Sequence, residues 1–395
     1  MSTAVEPSRP WDRLQRRALI VGVVGLLACA LGAWLSPAHF FRAYLVAFNF
    51  WIGIALGSLV ILMIQHLTGG AWGMLIRRVL EAATQTLVPL AVMAIPLLFG
   101  LHSLYLWARP PEEVALDKEL DEKSGYLNVR FFAIRLVIYF VVWLLLAALF
   151  NRWSSRQDDG ATTTEDRRFR ILSGPGLVLY GLTVTFASID WVMSLEPHWI
   201  STIYPVLFAV GQALEGMAFA VAALVFLAAR PPLSGIVKPA HLRDLGNLLL
   251  TFVMLWAYMS FSQFLLIWAE NMPEETPWYL RRLRGGWEWV GLVLILCQFA
   301  LPFFSLLFRD VKENPRRIAA VAGFILLMRF VDIVWWVEAA FPGGLSFYWL
   351  LDVAALVGLG GIWMWWFLWR LGMKPLLPWH DPDLHTYLPE AVRHD

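Results

Sequence analysis

Residues 43–66 read AYLVAFNFWIGIALGSLVILMIQH, a run without Asp, Glu, Lys or Arg. A helix rising about 1.5 Å per residue needs roughly 20 apolar residues to cross a hydrocarbon layer. The run therefore predicts one membrane span. Similar runs follow along the chain, and the ten predicted spans are 18–36, 43–66, 80–107, 129–151, 171–194, 199–229, 243–270, 285–308, 316–340 and 345–370. Backbone polar groups in lipid must be satisfied within the segment, and runs of this length rich in Leu, Ala and Met exclude a barrel. The expected fold is an all-α polytopic membrane protein.

Composition agrees with that reading. Hydrophobic residues are 59% of the 395 and charged residues 15%, against the roughly 25% charged share of a soluble domain. The 22 tryptophans suit headgroup layers, where amphipathic rings gather. A net charge of +1 carries no bias toward nucleic acid.

Lys and Arg crowd the loops on the side that holds both termini, including Arg13, Arg16, Arg17, Arg167, Arg168, Arg170, Arg316 and Arg317. Both termini are therefore expected on the cytoplasmic side. The chain divides into a cytoplasmic segment 1–17, a membrane domain 18–371 and a cytoplasmic tail 372–395. The longest opposite loops, PPEEVALDKELDEK at 110–123 and NMPEETPWYLRRLR at 271–284, carry acidic residues and offer a docking surface or a merely solvated one.

Cys29 and Cys297 both lie in apolar runs, and no CxxC, CxxCH or P-loop occurs. No redox or metal centre is expected. LLAC at 26–29 faintly resembles a lipoprotein cleavage site, but the apolar run continues to Leu35, which favours an uncleaved first span.

Spans four apart share short motifs. GIALGS at 53–58 is matched by GQALEG at 211–216, LYLWA at 104–108 by LLIWA at 265–269, and DWVMSLEP at 190–197 by WWVEAAFP at 335–342. Four apart means like orientation, so two parallel four-helix bundles are expected, one at about 43–194 and one at about 199–340. Helices 18–36 and 345–370 flank them.

Ionisable residues within spans are costly and mark function by default. His102, Arg135, Asp190, His198, Glu196, Glu270, Glu338 and Asp352 fall toward the outer half, whereas His66 and Glu81 lie near the inner ends. Unmatched depths argue against a bis-histidine haem. His102, Asp190, Arg135 and His198 are the candidates for a quinone site. A histidine and a carboxylate would take the two phenolic hydrogen bonds of a hydroquinone. The alternative for Arg135 and Asp190 is an ion pair that fixes helix packing. Tyr180, Thr183, Glu215, Glu270, Asp332, Glu338 and Asp352 are candidates for a proton path, although polar stripes equally serve as interhelical hydrogen-bonding surfaces. Arg329 and Asp332, three residues apart, are expected to neutralise each other.

SIDWVMSLEPHWISTIYPV at 188–206, FSQFLLIWAENMPEETPWYLRR at 261–282 and GLHSLYLWARP at 100–110 resemble the second ten-helix, quinone-binding-type membrane subunit of bacterial alternative complex III. That complex is a quinol:cytochrome c oxidoreductase, and its membrane subunits belong with the quinone-interacting anchors of polysulfide reductase. The resemblance covers spans 2 to 10. It implies menaquinol or ubiquinol as ligand, multihaem c and iron-sulfur subunits as partners, and a sister ten-helix subunit that looks like the principal quinol-oxidation site. For this chain it implies a second quinone site, or a proton-conducting or structural role. A proton-coupled secondary transporter using Glu215, Asp332 and Arg329, or a purely structural anchor, are the competing readings.

Overall fold

The computed structural model describes residues 11–158, 164–230, 233–342 and 349–378. Of the predicted terminal segments, 1–10 and 379–395 lie outside the described residues, as do 345–348 of the predicted tenth span. Every regular element among the described residues is helical, and ten helices are long and apolar enough to cross a membrane. They are α1 (Asp12–Leu35), α2 (Pro37–Thr68), α3 (Ala71–Phe99), α4 (Val129–Asp158), α5 (Thr164–Trp191), α6 (Tyr204–Ala228), α7 (Pro239–Glu270), α8 (Trp287–Leu307), α9 (Pro315–Glu338) and α10 (Trp349–Leu371).

Their limits follow local chemistry. Pro37, Pro239 and Pro315 stand at first helical positions, where the missing N–H costs no hydrogen bond. Asn314 caps α9 by accepting from Arg316 and Arg317 N–H. Gly69 and Gly70, at φ +68° and +104°, turn α2 into α3. Helix α3 is interrupted after Thr84 and Met93, where Pro89 and Pro96 each remove an N–H from the ladder.

Helix α3 begins nine residues before the predicted boundary at 80. Arg77 and Arg78, just before that boundary, and Glu81, just inside it, are paired within the protein. Arg77 Nε donates to Glu81 Oε1 at 3.0 Å and Arg78 Nη1 to Glu81 Oε2 at 2.8 Å. Asp158, Ser154 and Lys374 complete this network.

Helix α2 occupies the centre, and α6 lies along it. Their backbones meet at glycine: a Cβ on Gly57 would overlap the Gln212 carbonyl oxygen, and one on Gly216 the Gly57 backbone. With lipid tails as apolar as the side chains, such close backbone approach supplies the van der Waals contact that holds helices together. Helices α2 to α5 pack on one another, as do α6 to α9; α10 covers α2, and α1 lies against α10 through Gly22, Gly25 and Gly32. Tyr258, Phe261, Trp268, Trp289, Ile295 and Phe304 point outward from α7 and α8, as expected of a lipid-facing surface. The connections at 100–128, 192–203 and 271–286 share one end of the bundle, here the loop-rich end. Trp11, the α2–α3 turn and Lys374 mark the other, terminal end.

Candidate functional site

At the loop-rich end the chain encloses a cavity of about 760 Å³, within the range of roughly 300–1,000 Å³ typical of small-molecule sites. Arg42 at the start of α2, His102 and Tyr105, Glu196, His198 and Trp199, Trp278 and Arg281, and Phe341 after α9 contribute to its walls. Both bundles thus supply the lining.

Local structure explains how each wall is held. The helical path ends at Tyr105, whose extended backbone turns the chain back. Its hydroxyl then donates to the Trp191 carbonyl at 2.9 Å, which docks the 100–109 connection on the end of α5 and leaves His102 exposed. The opposite wall is the helix Thr276–Arg282, framed by left-handed backbone at Asn271 before it and at Gly285 and Gly286 after it. Arg282 is buried and reaches three elements: Nη1 donates to Glu196 Oε1 at 2.8 Å and to its own helix at Trp278 O, and Nη2 donates to Trp336 O at 2.9 Å. Its guanidinium lies 3.6 Å over the Trp278 ring, which stacks on Trp199 at 4.9 Å between centroids. Burial draws the Arg282 guanidinium below its ordinary range, and the Glu196 carboxylate opposes that effect.

His198 carries the most defined polar geometry of the cavity. Its Nε2 lies 2.7 Å from Asp117 Oδ2, and the other Asp117 oxygen caps the helix Lys118–Lys123 through the Glu119 and Leu120 N–H groups. The His198 hydrogen bond, followed by those backbone donors, holds the Asp117 carboxyl below the usual aspartate range. Because the carboxylate accepts, Nε2 must donate. Nδ1 of the neutral ring is then the acceptor.

The remaining candidates separate. Asp190 is fully buried and does not line the cavity. It accepts from Arg135 Nε and Nη2, both at 2.8 Å, and from the Tyr139 hydroxyl at 2.7 Å. Arg135 also donates to Tyr126 O and lies 3.8 Å from the Tyr126 ring centroid. The structure therefore pairs Asp190 with Arg135, and it places His102 with His198 on the cavity. Thr183 accepts from Trp143 Nε1 and donates to the Leu179 carbonyl. Tyr180 donates to Gln212 Oε1 at 2.9 Å. Glu270 is exposed at the end of α7. Glu338, half-buried, and Asp352, buried, lie within electrostatic reach of one another, and Glu338 within that of Arg42.

Deeper in the protein, Arg329 of α9 donates from Nε to Glu215 Oε1 at 3.1 Å and from Nη1 to Asp332 Oδ2. Trp256 Nε1 also donates to Asp332 Oδ2. At the terminal end His66 lies parallel to the Phe169 and Phe150 rings, with centroids 4.3 and 5.5 Å away. Among the described residues no three His, Cys, Asp or Glu side chains gather as metal ligands.

Sequence reasoning missed Asp117, Trp199, Trp278 and Arg282. One signal was present: PWYLRR at 277–282 puts arginines next to aromatic rings in a segment too polar to span. No protein-family model matches the chain, and no curated protein matches it either.

Proposed function

We propose that this chain is a membrane subunit of a quinol-oxidising electron-transfer complex of the alternative complex III type, and that the loop-rich cavity receives the quinol ring. One observation carries the reading. Two histidines, His102 and His198, share a cavity with aromatic walls at the loop-rich end, and His198 is held through Nε2 by a carboxylate, which leaves Nδ1 of the neutral ring as an acceptor. Trp199, Trp278, Tyr105 and Phe341 suit an apolar ring with polar edges.

A bound hydroquinone would place one phenolic O–H on His198 and the other on His102. Both O–H bonds break, the two protons pass to the imidazoles, and the two electrons leave for a centre on another chain. The quinone is the product. Asp117 stabilises the imidazolium formed at His198. The electron centres belong to multihaem c and iron-sulfur partners, beside a sister ten-helix subunit. The charge asymmetry of the loops supports a site on the outer side of a bacterial inner membrane, with both termini in the cytoplasm.

Purification of the complex tests this reading. The chain should co-purify with c-type haem subunits, and His198→Ala and His102→Ala should each lower quinol oxidation by about 10²-fold or more while the complex stays assembled. Recovery of the chain alone, or unchanged quinol oxidation and inhibitor binding in both variants, refutes it. The buried Glu215–Arg329–Asp332 group inside the second bundle favours a second reading, a proton-coupled secondary transporter. Substrate uptake by liposomes containing the isolated chain would select it.

A further inference from the structure

The seam between α2 and α6 contains polar atoms that no protein group satisfies. Glu215 is fully buried, and its Oε1 accepts from Arg329, but Oε2 has no partner. Oε2 lies against Gly53, where a Cβ would overlap it. Three residues earlier on α6, Gln212 spends Oε1 on the Tyr180 hydroxyl, and its Nε2 has no partner. On α2, Asn49 stands one helical turn from Gly53 on the same face. Its Nδ2 donates to Leu45 O, and its Oδ1 has no partner. Both Gln212 and Asn49 are 2% exposed. A buried polar atom left unmade costs about 1–3 kcal/mol, so three on one seam call for a ligand.

Their chemistry selects it. Gln212 Nε2 is a donor, which repels a bare cation, whereas Asn49 Oδ1 is an acceptor, which repels an anion. Water satisfies both. The charges add a second requirement. Helix α9 presents Arg329 and Asp332, α5 presents Tyr180, α7 presents Trp256, and α2 presents no charge next to Gly53. Arg77, Arg78 and Glu81 of α3 engage one another at the terminal end. Two carboxylates therefore share one guanidinium away from bulk solvent, a net charge of −1 that desolvation opposes. Asp332 takes charged and indole hydrogen bonds, which stabilise its anion. Glu215 has the free oxygen.

We propose that the α2–α6 seam is a proton-binding site, in which Glu215 carries a proton on Oε2 and internal water serves the orphaned atoms of Glu215, Gln212 and Asn49. Water accepts from Glu215 Oε2–H and from Gln212 Nε2–H and donates to Asn49 Oδ1, so internal water gives each orphaned atom a partner of the right polarity. The site lies about 16 Å along α2 from Arg42 at the cavity, and it does not depend on what the cavity binds. It gives the chain a neutral acid in the middle of its inter-bundle contact.

Infrared spectra of the purified full-length protein in H2O and D2O test the proposal through the carbonyl stretch of a protonated carboxyl group, which shifts on deuteration. A band lost in Glu215→Gln is expected. Asp332→Asn should abolish the same band by a different route, because Arg329 then faces one carboxylate and Glu215 gives up its proton. Gly53→Ala, which drives a methyl group into the Oε2 position, should shift its frequency. An acid band unchanged in Glu215→Gln overturns the proposal. If that variant does not fold, an acid band unchanged in both Asp332→Asn and Gly53→Ala overturns it equally.

Discussion

Arg282 and Glu196 join two connections that are far apart in sequence: Arg282 Nη1 donates to Glu196 Oε1 at 2.8 Å, and both side chains are buried. The pair fastens the helix Thr276–Arg282, from the second bundle, to the end of the first bundle. Arg281, half-exposed, also approaches Glu196 Oε2 at 3.5 Å, so removing Arg282 leaves Glu196 one weaker cation, and losing the buried partner costs up to about 3–5 kcal/mol. Arg282→Leu should therefore lower the thermal unfolding temperature in detergent sharply, and Glu196→Gln should do so less, since an amide still accepts from the guanidinium. Equal stability of Arg282→Leu and the native protein would contradict this role.

The Asp117–His198 contact should be sensitive to acid. The Asp117 carboxyl is held below its ordinary range, first by the His198 hydrogen bond. Its contribution is complete above the ordinary aspartate value of about 4 and is lost as pH falls through the lowered folded value. Limited proteolysis of the 110–128 connection should stay constant from neutral pH down to that range and then rise. In His198→Ala the rise should begin at a higher pH. An identical onset in both proteins would show that the contact does not hold the connection.

Two glycine substitutions should act in opposite directions. Gly57→Ala places a methyl group on the Gln212 carbonyl, where backbone must move, and overpacking of that kind costs on the order of 1–3 kcal/mol or more. Gly323, inside α9, has nothing within 4 Å of its Cβ position. Gly323→Ala should be neutral or stabilising by about 0.5–1 kcal/mol, because alanine loses less backbone entropy on entering a helix. Thermal unfolding of the two variants beside the native protein checks both signs.

Asp190→Asn removes the anion that Arg135 contacts through two nitrogens. Its main effect should be a loss of stability of about 3–5 kcal/mol, and ligand binding at the cavity should persist in the folded fraction. Inhibitor titration at a temperature well below unfolding separates the two. Loss of binding with unchanged stability would place Asp190 in the ligand site instead.

The spans are legible in the sequence because lipid imposes one rule on every segment, that polar backbone be satisfied within the helix. Helix α3 shows where the rule misleads. Arg77, Arg78 and Glu81 look like the end of a hydrophobic run, yet they lie inside because partners on α4 and after α10, Ser154 and Lys374, surround them. Glu215 was legible as an unusual residue of α6, but its Arg329 partner lies on another helix.

The sequence by itself determined an all-helical chain of ten membrane-crossing segments, since length and apolarity are properties of each segment alone. It also marked which ionisable residues needed explanation. Tertiary structure decided what each of them touches. Asp190 went to Arg135 and Tyr139, His198 to Asp117, and Glu196 to Arg282, through contacts between residues 51 to 86 positions apart. Charge neutralisation in a low-dielectric interior depends on distances of about 3 Å, and helix packing sets those distances.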